Sequence, residues 1–262
     1  MGGVVVGLNR AGRYDPVIRW ASAEAALHGL PLTLVQAWDA PVGVSVELDA
    51  GALPGLSGPV TSCAVPGALD RVLLDRDPNL LVLACSDESH RVDRNCVRRA
   101  RCPVVLMSTV ERRETGRVVV GICGTDASRA AFAWAVAEAK RRRADLVVVH
   151  AWQLHPSSAR ELVLPSRALP VHQQSADDEL RTWVDSMGGP TGVELRARHG
   201  GPLDQLLDAG ADADLIVVGR HAHGPVGQFI HGALGDDLAR LARCPVVLVP
   251  TPARDVDTPR TP

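Results

Sequence analysis

Val4-Val5-Val6-Gly7-Leu8 returns as Val118-Val119-Val120-Gly121-Ile122, Trp20 returns as Trp134, and Ala37-Trp38 returns as Ala151-Trp152, each pair 114 positions apart. A fixed offset of this kind marks a tandem duplication, and it requires one fold to serve both halves of the chain. Both copies close on Arg-Cys-Pro-Val-Val-Leu, at Arg101 to Leu106 and at Arg243 to Leu248, so the equivalence reaches the end of the repeat. At 262 residues, each copy is long enough to bury its own core. The repeat predicts one domain over 1–110 and a second over 117–250. Ser108 to Arg117, with Glu111-Arg112-Arg113-Glu114, reads as the linker, and the proline-bearing segment 251–262 as a disordered tail.

Continuous β-branched runs such as Val118-Val119-Val120, Leu146 to Val149, Leu215 to Val218 and Val246 to Val249 read as strands buried on both faces. Between them, Ala127 to Arg143, Ser175 to Met187 and Pro202 to Ala209 carry helical patterns. Alternation of strand and helix predicts an α/β fold with a doubly wound, Rossmann-like parallel sheet in each copy.

The copies differ in spacing. From Trp38 to Val82 is 44 positions and from Trp152 to Val217 is 65, so the first copy lacks 21 residues there, the size of one helix and its turn. From Ala84 to Cys102 is 18 and from Gly219 to Cys244 is 25, so the first copy also lacks seven residues, and these fall in a glycine-rich stretch of the second.

A net charge of -2 gives no general attraction to nucleic acid or an anionic membrane. Arg141-Arg142-Arg143, the one compact basic run, reads as a solvated helix end whose cations offset the helix dipole. No apolar stretch approaches the roughly 20 residues of a spanning helix, and no basic and apolar leader opens the chain. The expectation is a cytoplasmic protein. The six cysteines lack the spacing of a zinc site or a disulfide scaffold and read as reduced, mostly buried thiols. There is no Gly-x-Ser-x-Gly elbow and no Walker-type loop, so no catalytic residues are assigned and a non-enzymatic role is expected.

A strand ending in Val-Gly, a long helix, a strand ending in Ala-Trp, then Val217-Val218-Gly219, a glycine-rich loop and the closing Cys244-Pro245-Val246-Val247-Leu248-Val249 resemble the universal stress protein family. The resemblance covers nearly the whole chain as two family domains in tandem. It implies an internal pseudo-dimer joined through the final strands, Val104 to Met107 against Val246 to Val249; homodimerisation of whole chains stays open. It also implies an ATP site, with magnesium, and an unidentified signalling protein as partner.

In nucleotide-binding members the phosphate loop reads Gly, two residues, Gly, nine residues, Gly and then Ser or Thr. Here Gly219, Arg220 and His221 open the pattern, Ala222 replaces the second glycine, Gly232 is in place and Ala233 replaces the hydroxyl residue. Gly224, Gly227 and the basic or titratable Arg220, His221 and His223 remain to meet phosphate. A side chain where glycine is required strains the loop by about 1–2 kcal/mol. A lost charge-assisted hydrogen bond removes about 1.5–3 kcal/mol more. The family's acidic anchor after the first strand is replaced by Asn9 in the first copy and by Cys123, then Gly124 and Thr125, in the second. Asp126 offers itself as a substitute acid, although with Thr125 it reads more economically as a helix N-cap. Gly200, Gly201 and Pro202 fit the family's Gly-x-Pro turn over the adenine. In the first copy, Ala84 to His90 holds Asp87 and Glu88 where phosphates would sit, which predicts a dead site.

The resemblance therefore implies a stress-response regulator with at most one weakened ATP site, in the second copy, involving Gly121 and the loop residues named above. An ATP-binding switch or slow ATPase is the competing reading. A third is a redox or metal sensor using Cys123, His221 and His223, against which stands the plainer reading of Cys123 as a small residue filling the vacated acid position.

Overall fold

The computed structural model describes residues 2–8, 15–38, 60–85, 90–107, 114–153, 165–220 and 231–251. The first copy contains β1 (Val4–Leu8), α1 (Asp15–His28), β2 (Leu32–Trp38), β3 (Val60–Pro66), α2 (Leu69–Leu74), β4 (Leu80–Ala84), α3 (His90–Arg99) and β5 (Val104–Met107). The second contains β6 (Arg117–Ile122), α4 (Asp126–Arg142), β7 (Asp145–Trp152), α5 (Pro165–Ser186), β8 (Glu194–His199), α6 (Pro202–Ala209), β9 (Leu215–Arg220), α7 (His231–Leu241) and β10 (Val246–Pro250).

The ten strands among the described residues form one sheet in the order β3-β2-β1-β4-β5-β10-β9-β6-β7-β8. Within each copy the pairings are parallel, and the copies meet where β5 and β10 pair antiparallel, with Val246 opposite Leu106, Val247 opposite Val105 and Leu248 opposite Val104. These are the strands expected to join the pseudo-dimer.

Strand residues alternate between two apolar layers, as a period of two requires. Val4, Val6, Val118, Val120, Val217 and Val247 face α1, α4 and α5. Val5, Val119, Ile216, Val246 and Leu248 face α2, α3, α6 and α7. Each layer runs unbroken from one copy into the other. The tryptophans at the repeat offset, Trp20 and Trp134, pack on the first layer as duplicated positions of the core.

α5 occupies the interval between β7 and β8 in the second copy, and its Trp183 meets Phe132 of α4 edge to face at 6.5 Å. The corresponding interval in the first copy, 39–59, lies outside the described residues, as do most of the predicted linker (108–113) and the tail from 252 onward. Arg117, placed at the end of the predicted linker, is the first residue of β6. Asp214 fixes that start by accepting hydrogen bonds from the backbone N–H groups of Gly116 at 2.7 Å and Arg117 at 3.1 Å. Among the described residues no helix is long and apolar enough to cross a membrane.

One expectation about charge is overturned. Arg142 is not a solvated helix-end cation: its side chain is 13% exposed and binds Glu138 and Glu24, the latter in the other copy. Helix-end rules consider α4 alone, whereas α1 packs across it and removes Arg142 from water.

Candidate functional site

In an open parallel sheet, ligands bind beyond the carboxyl ends of the strands, where the chain leaves the sheet in opposite directions. In the second copy that switch point lies between β6 and β9. A cavity of about 230 Å³ opens there, lined by Gly121, Ile122 and Cys123 from the end of β6, Val218 and Gly219 from β9, and Pro202 and Leu206 from α6. Val149, Ala151, Gln153, Ser128, Gly200, Leu234 and Gly235 complete the wall. The described lining is largely apolar and contains no carboxylate.

The start of α4 shapes one side. Gly124 leaves β6 with φ +71°, a left-handed turn that a side chain strains. Thr125 is the N-cap, its hydroxyl accepting the Ser128 N–H at 3.3 Å. The Ser128 hydroxyl in turn accepts the Cys123 N–H at 3.0 Å. Asp126 is exposed in the first turn and does not line the cavity. Cys123 is exposed, with Sγ 3.3 Å from Ser128 Oγ and 3.5 Å from Thr125 Oγ1. The corner where the resemblance leads one to expect an acid is here a thiol between two hydroxyls.

Gly219 lines the cavity, but its lack of a side chain answers a packing need as well. A Cβ there would stand 2.3 Å from the Ala127 carbonyl oxygen and 2.4 Å from its carbon. β9 and α4 approach too closely for any other residue.

Arg220 does not reach the cavity. It ends β9 opposite Pro250 of β10, and β10 runs antiparallel to β5, so its guanidinium is carried to the seam and donates to the carbonyl of Ala100, just past the end of α3. A cation at a helix C-terminus is favourably placed in the helix dipole. Burial lowers the Arg220 pKa from its usual value. The expected role of Arg220 as a phosphate-facing cation is thus corrected: it ties the second copy to the first. Gly232 and Ala233 fall in the first turn of α7. His221, Ala222, His223, Gly224 and Gly227 lie outside the described residues, as do Asn9, Asp87 and Glu88.

The equivalent end of the first copy is built differently. Counting back 142 positions from the closing Arg243 to Arg101 sets Gly235 against Asp93. Gly235 lines the second copy's cavity, whereas Asp93 is a buried carboxylate, 7% exposed. Burial, then Asp93 and Asp236, push the neighbouring Cys85 thiol up to about 12. Ser128 and Gln153 of the second copy, like Asp93 of the first, escaped the sequence reading. Ser128 resembles an ordinary helical serine, and Asp93 shows only when the closing segments are aligned separately from the opening ones.

The sequence profile of the universal stress protein family matches residues 114–250. The chain is 29% identical to the universal stress protein Rv2623 of Mycobacterium tuberculosis, across 94% of this chain and 95% of that protein. It is 26% identical to Rv2005c of the same organism, across 94% and 96%. A solved universal stress protein from Archaeoglobus fulgidus shares the fold, with a TM-score of 0.61 at 13% identity, covering 94% of this chain and 96% of that one.

Proposed function

The chain belongs to the universal stress protein family, and from that premise we propose that it is a non-enzymatic stress-response regulator that binds an adenine nucleotide weakly, in the second copy alone. The observation that carries this reading is the apolar cavity at the β6–β9 switch point. Val149, Ala151, Pro202, Leu206 and Val218 offer flat apolar contact to a purine, and Gln153 and Ser128 offer polar groups at its edge. The first copy, with Asp93 buried at the matching position, has no such role and serves as the partner half of the pseudo-dimer.

Weak affinity follows from the donor set. With Cys123 in the acid position, the ribose hydroxyls lack a carboxylate acceptor, and a neutral hydrogen bond is worth about half a charge-assisted one. The triphosphate, with its magnesium, would extend toward the start of α7, where Ala233 replaces the family's hydroxyl residue. The signal would pass to a cytoplasmic protein partner. No group in the described lining is placed to act as a general base on water, which favours binding over hydrolysis.

Calorimetric titration of nucleotide-stripped protein with ATP and magnesium tests this, alongside Ala151→Trp, which fills the cavity. Weak saturable heat at one site per chain, lost in the variant, with no phosphate release, is the expected result. Steady phosphate release makes the protein an ATPase, and no heat at millimolar ATP removes the nucleotide from its function.

A further inference from the structure

Glu24 and Glu138 are the same residue in the two copies, 114 positions apart, and so are His28 and Arg142. The four side chains converge where α1 and α4 cross the seam. His28 Nε2 lies 3.2 Å from Glu24 Oε1 and 2.9 Å from Glu138 Oε2. Arg142 Nε donates to Glu138 Oε1 at 2.8 Å, and Arg142 Nη2 donates to Glu24 Oε2. Arg142 also stands over the Trp20 ring of the first copy, 5.9 Å from its centre. Arg141, at the rim and 41% exposed, adds a contact to Glu138 at 3.3 Å. Glu24 and Glu138 are 2% and 0% exposed.

Two buried carboxylates face two cations, and the cations differ in kind. Arg142 carries its charge at every attainable pH, whereas His28 can lose its proton. We propose that Glu24, His28, Glu138 and Arg142 form a proton-gated clasp between the two copies, tight when His28 is protonated and loosened when it is not. Deprotonation either strips the single Nε2–H that both carboxylates share or leaves it without the positive charge behind it, and the buried carboxylates lose one compensating cation.

The ligand atoms of Glu24, His28 and Glu138 lie within 4.8 Å of one another, a spacing that also suits a metal ion. Arg142 already engages one oxygen of each carboxylate, so a metal would compete with a fixed positive charge. The proton is the better occupant.

The linkage has a definite sign. Hydrogen bonds to Glu138 and then to Glu24 raise His28 from 6.5 to about 9 in the closed seam. Stability from this group is full below about 6.5 and is lost as pH rises toward 9. Burial raises Glu24 as well, so its proton acts in the same direction. Glu138, held down to about 2, does not titrate in this range. The His28 proton alone changes the opening equilibrium by about tenfold per pH unit between those limits.

Hydrogen exchange on the full chain at pH 6.5, 7.5 and 8.5, corrected for intrinsic exchange, tests the clasp. Protection over residues 17–28 and 131–142 should fall by about tenfold per unit in the unaltered protein and stay level in His28→Arg, whose cation does not titrate. Level protection in the unaltered protein, or the same fall in the variant, overturns the proposal. Should the variant not fold, the His28 NMR titration in the unaltered chain decides: a midpoint near 9 supports the clasp and one near 6.5 overturns it. Zinc that increases protection at pH 7.5 while releasing a proton from His28 also overturns it, in favour of a metal site.

Discussion

Arg94 and Asp236 are equivalent residues of the two copies, 142 positions apart, and they meet each other across the seam, Arg94 Nε 3.0 Å from Asp236 Oδ2. In a dimer of identical domains, this position next to the two-fold axis would set a charge against its own copy. Duplication within one chain allowed the two sides to diverge into opposite signs. The Arg94 side chain is 66% exposed, so the pair is worth only about 0–1 kcal/mol. Asp236→Arg should destabilise slightly by denaturant titration, and adding Arg94→Asp should restore most of the loss. A double variant no better than the single would show that the pairing is incidental.

The buried seam should respond far more strongly. Removing one partner of a buried ion pair leaves an uncompensated charge and costs about 3–5 kcal/mol. Glu138→Ala leaves Arg142 and His28 to share Glu24 alone, one buried cation in excess, and we expect a loss in that range. Glu138 also sets the acid response. Burial alone would raise its pKa, but the hydrogen bond from His28 and the charge of Arg142 overcome this and hold it at about 2. Its contribution is present above about 4.5 and lost as pH falls through 2. Unfolding of Glu138→Gln should therefore depend less on pH between 4.5 and 2 than unfolding of the unaltered chain.

Much of this architecture is legible in the residues. The apolar runs mark the strands, the 114-residue offset marks the copies, and helix α6 begins and ends where Pro202 and Ala209 suggest. What escaped depends on contacts between copies. Arg142 belongs by local rules to a helix end, and only α1 packing across α4 makes it a seam residue. Arg220 belongs by motif to a phosphate loop, yet the antiparallel β5–β10 pairing brings Ala100 within reach of its guanidinium. The repeat held a usable signal, since Glu24 and Glu138 stand at its offset, but nothing local to either says that equivalent residues touch.

Gly219 separates packing from binding. Its missing side chain lets β9 lie against the backbone of Ala127, so Gly219→Ala must push strand and helix apart, a change that typically costs about 1–3 kcal/mol. The loss should appear in thermal unfolding without nucleotide present. A Gly219→Ala protein of unaltered stability that merely binds nucleotide less would instead assign this glycine to the ligand.

The six cysteines should react in an order set by burial and hydrogen bonding. Cys123 is exposed at the cavity wall beside the start of α4, whereas Cys96, Cys102 and Cys244 are buried. Burial, followed by Asp70, pushes the Cys96 thiol up to about 12, and burial brings Cys102 to about 11. At pH 8 a thiol of pKa about 12 is ionised only about once in ten thousand molecules, and the thiolate is the species that reacts. Alkylation followed by mass spectrometry should therefore label Cys123 first, with Cys96 and Cys102 modified only as the protein unfolds. Because Cys123 shares a wall with the proposed nucleotide pocket, saturating ATP and magnesium should slow its labelling while leaving the buried thiols unchanged. Labelling of Cys123 that is indifferent to ATP would place the nucleotide elsewhere, and a faster rate for Cys96 would mean that α3 opens more readily than its packing implies.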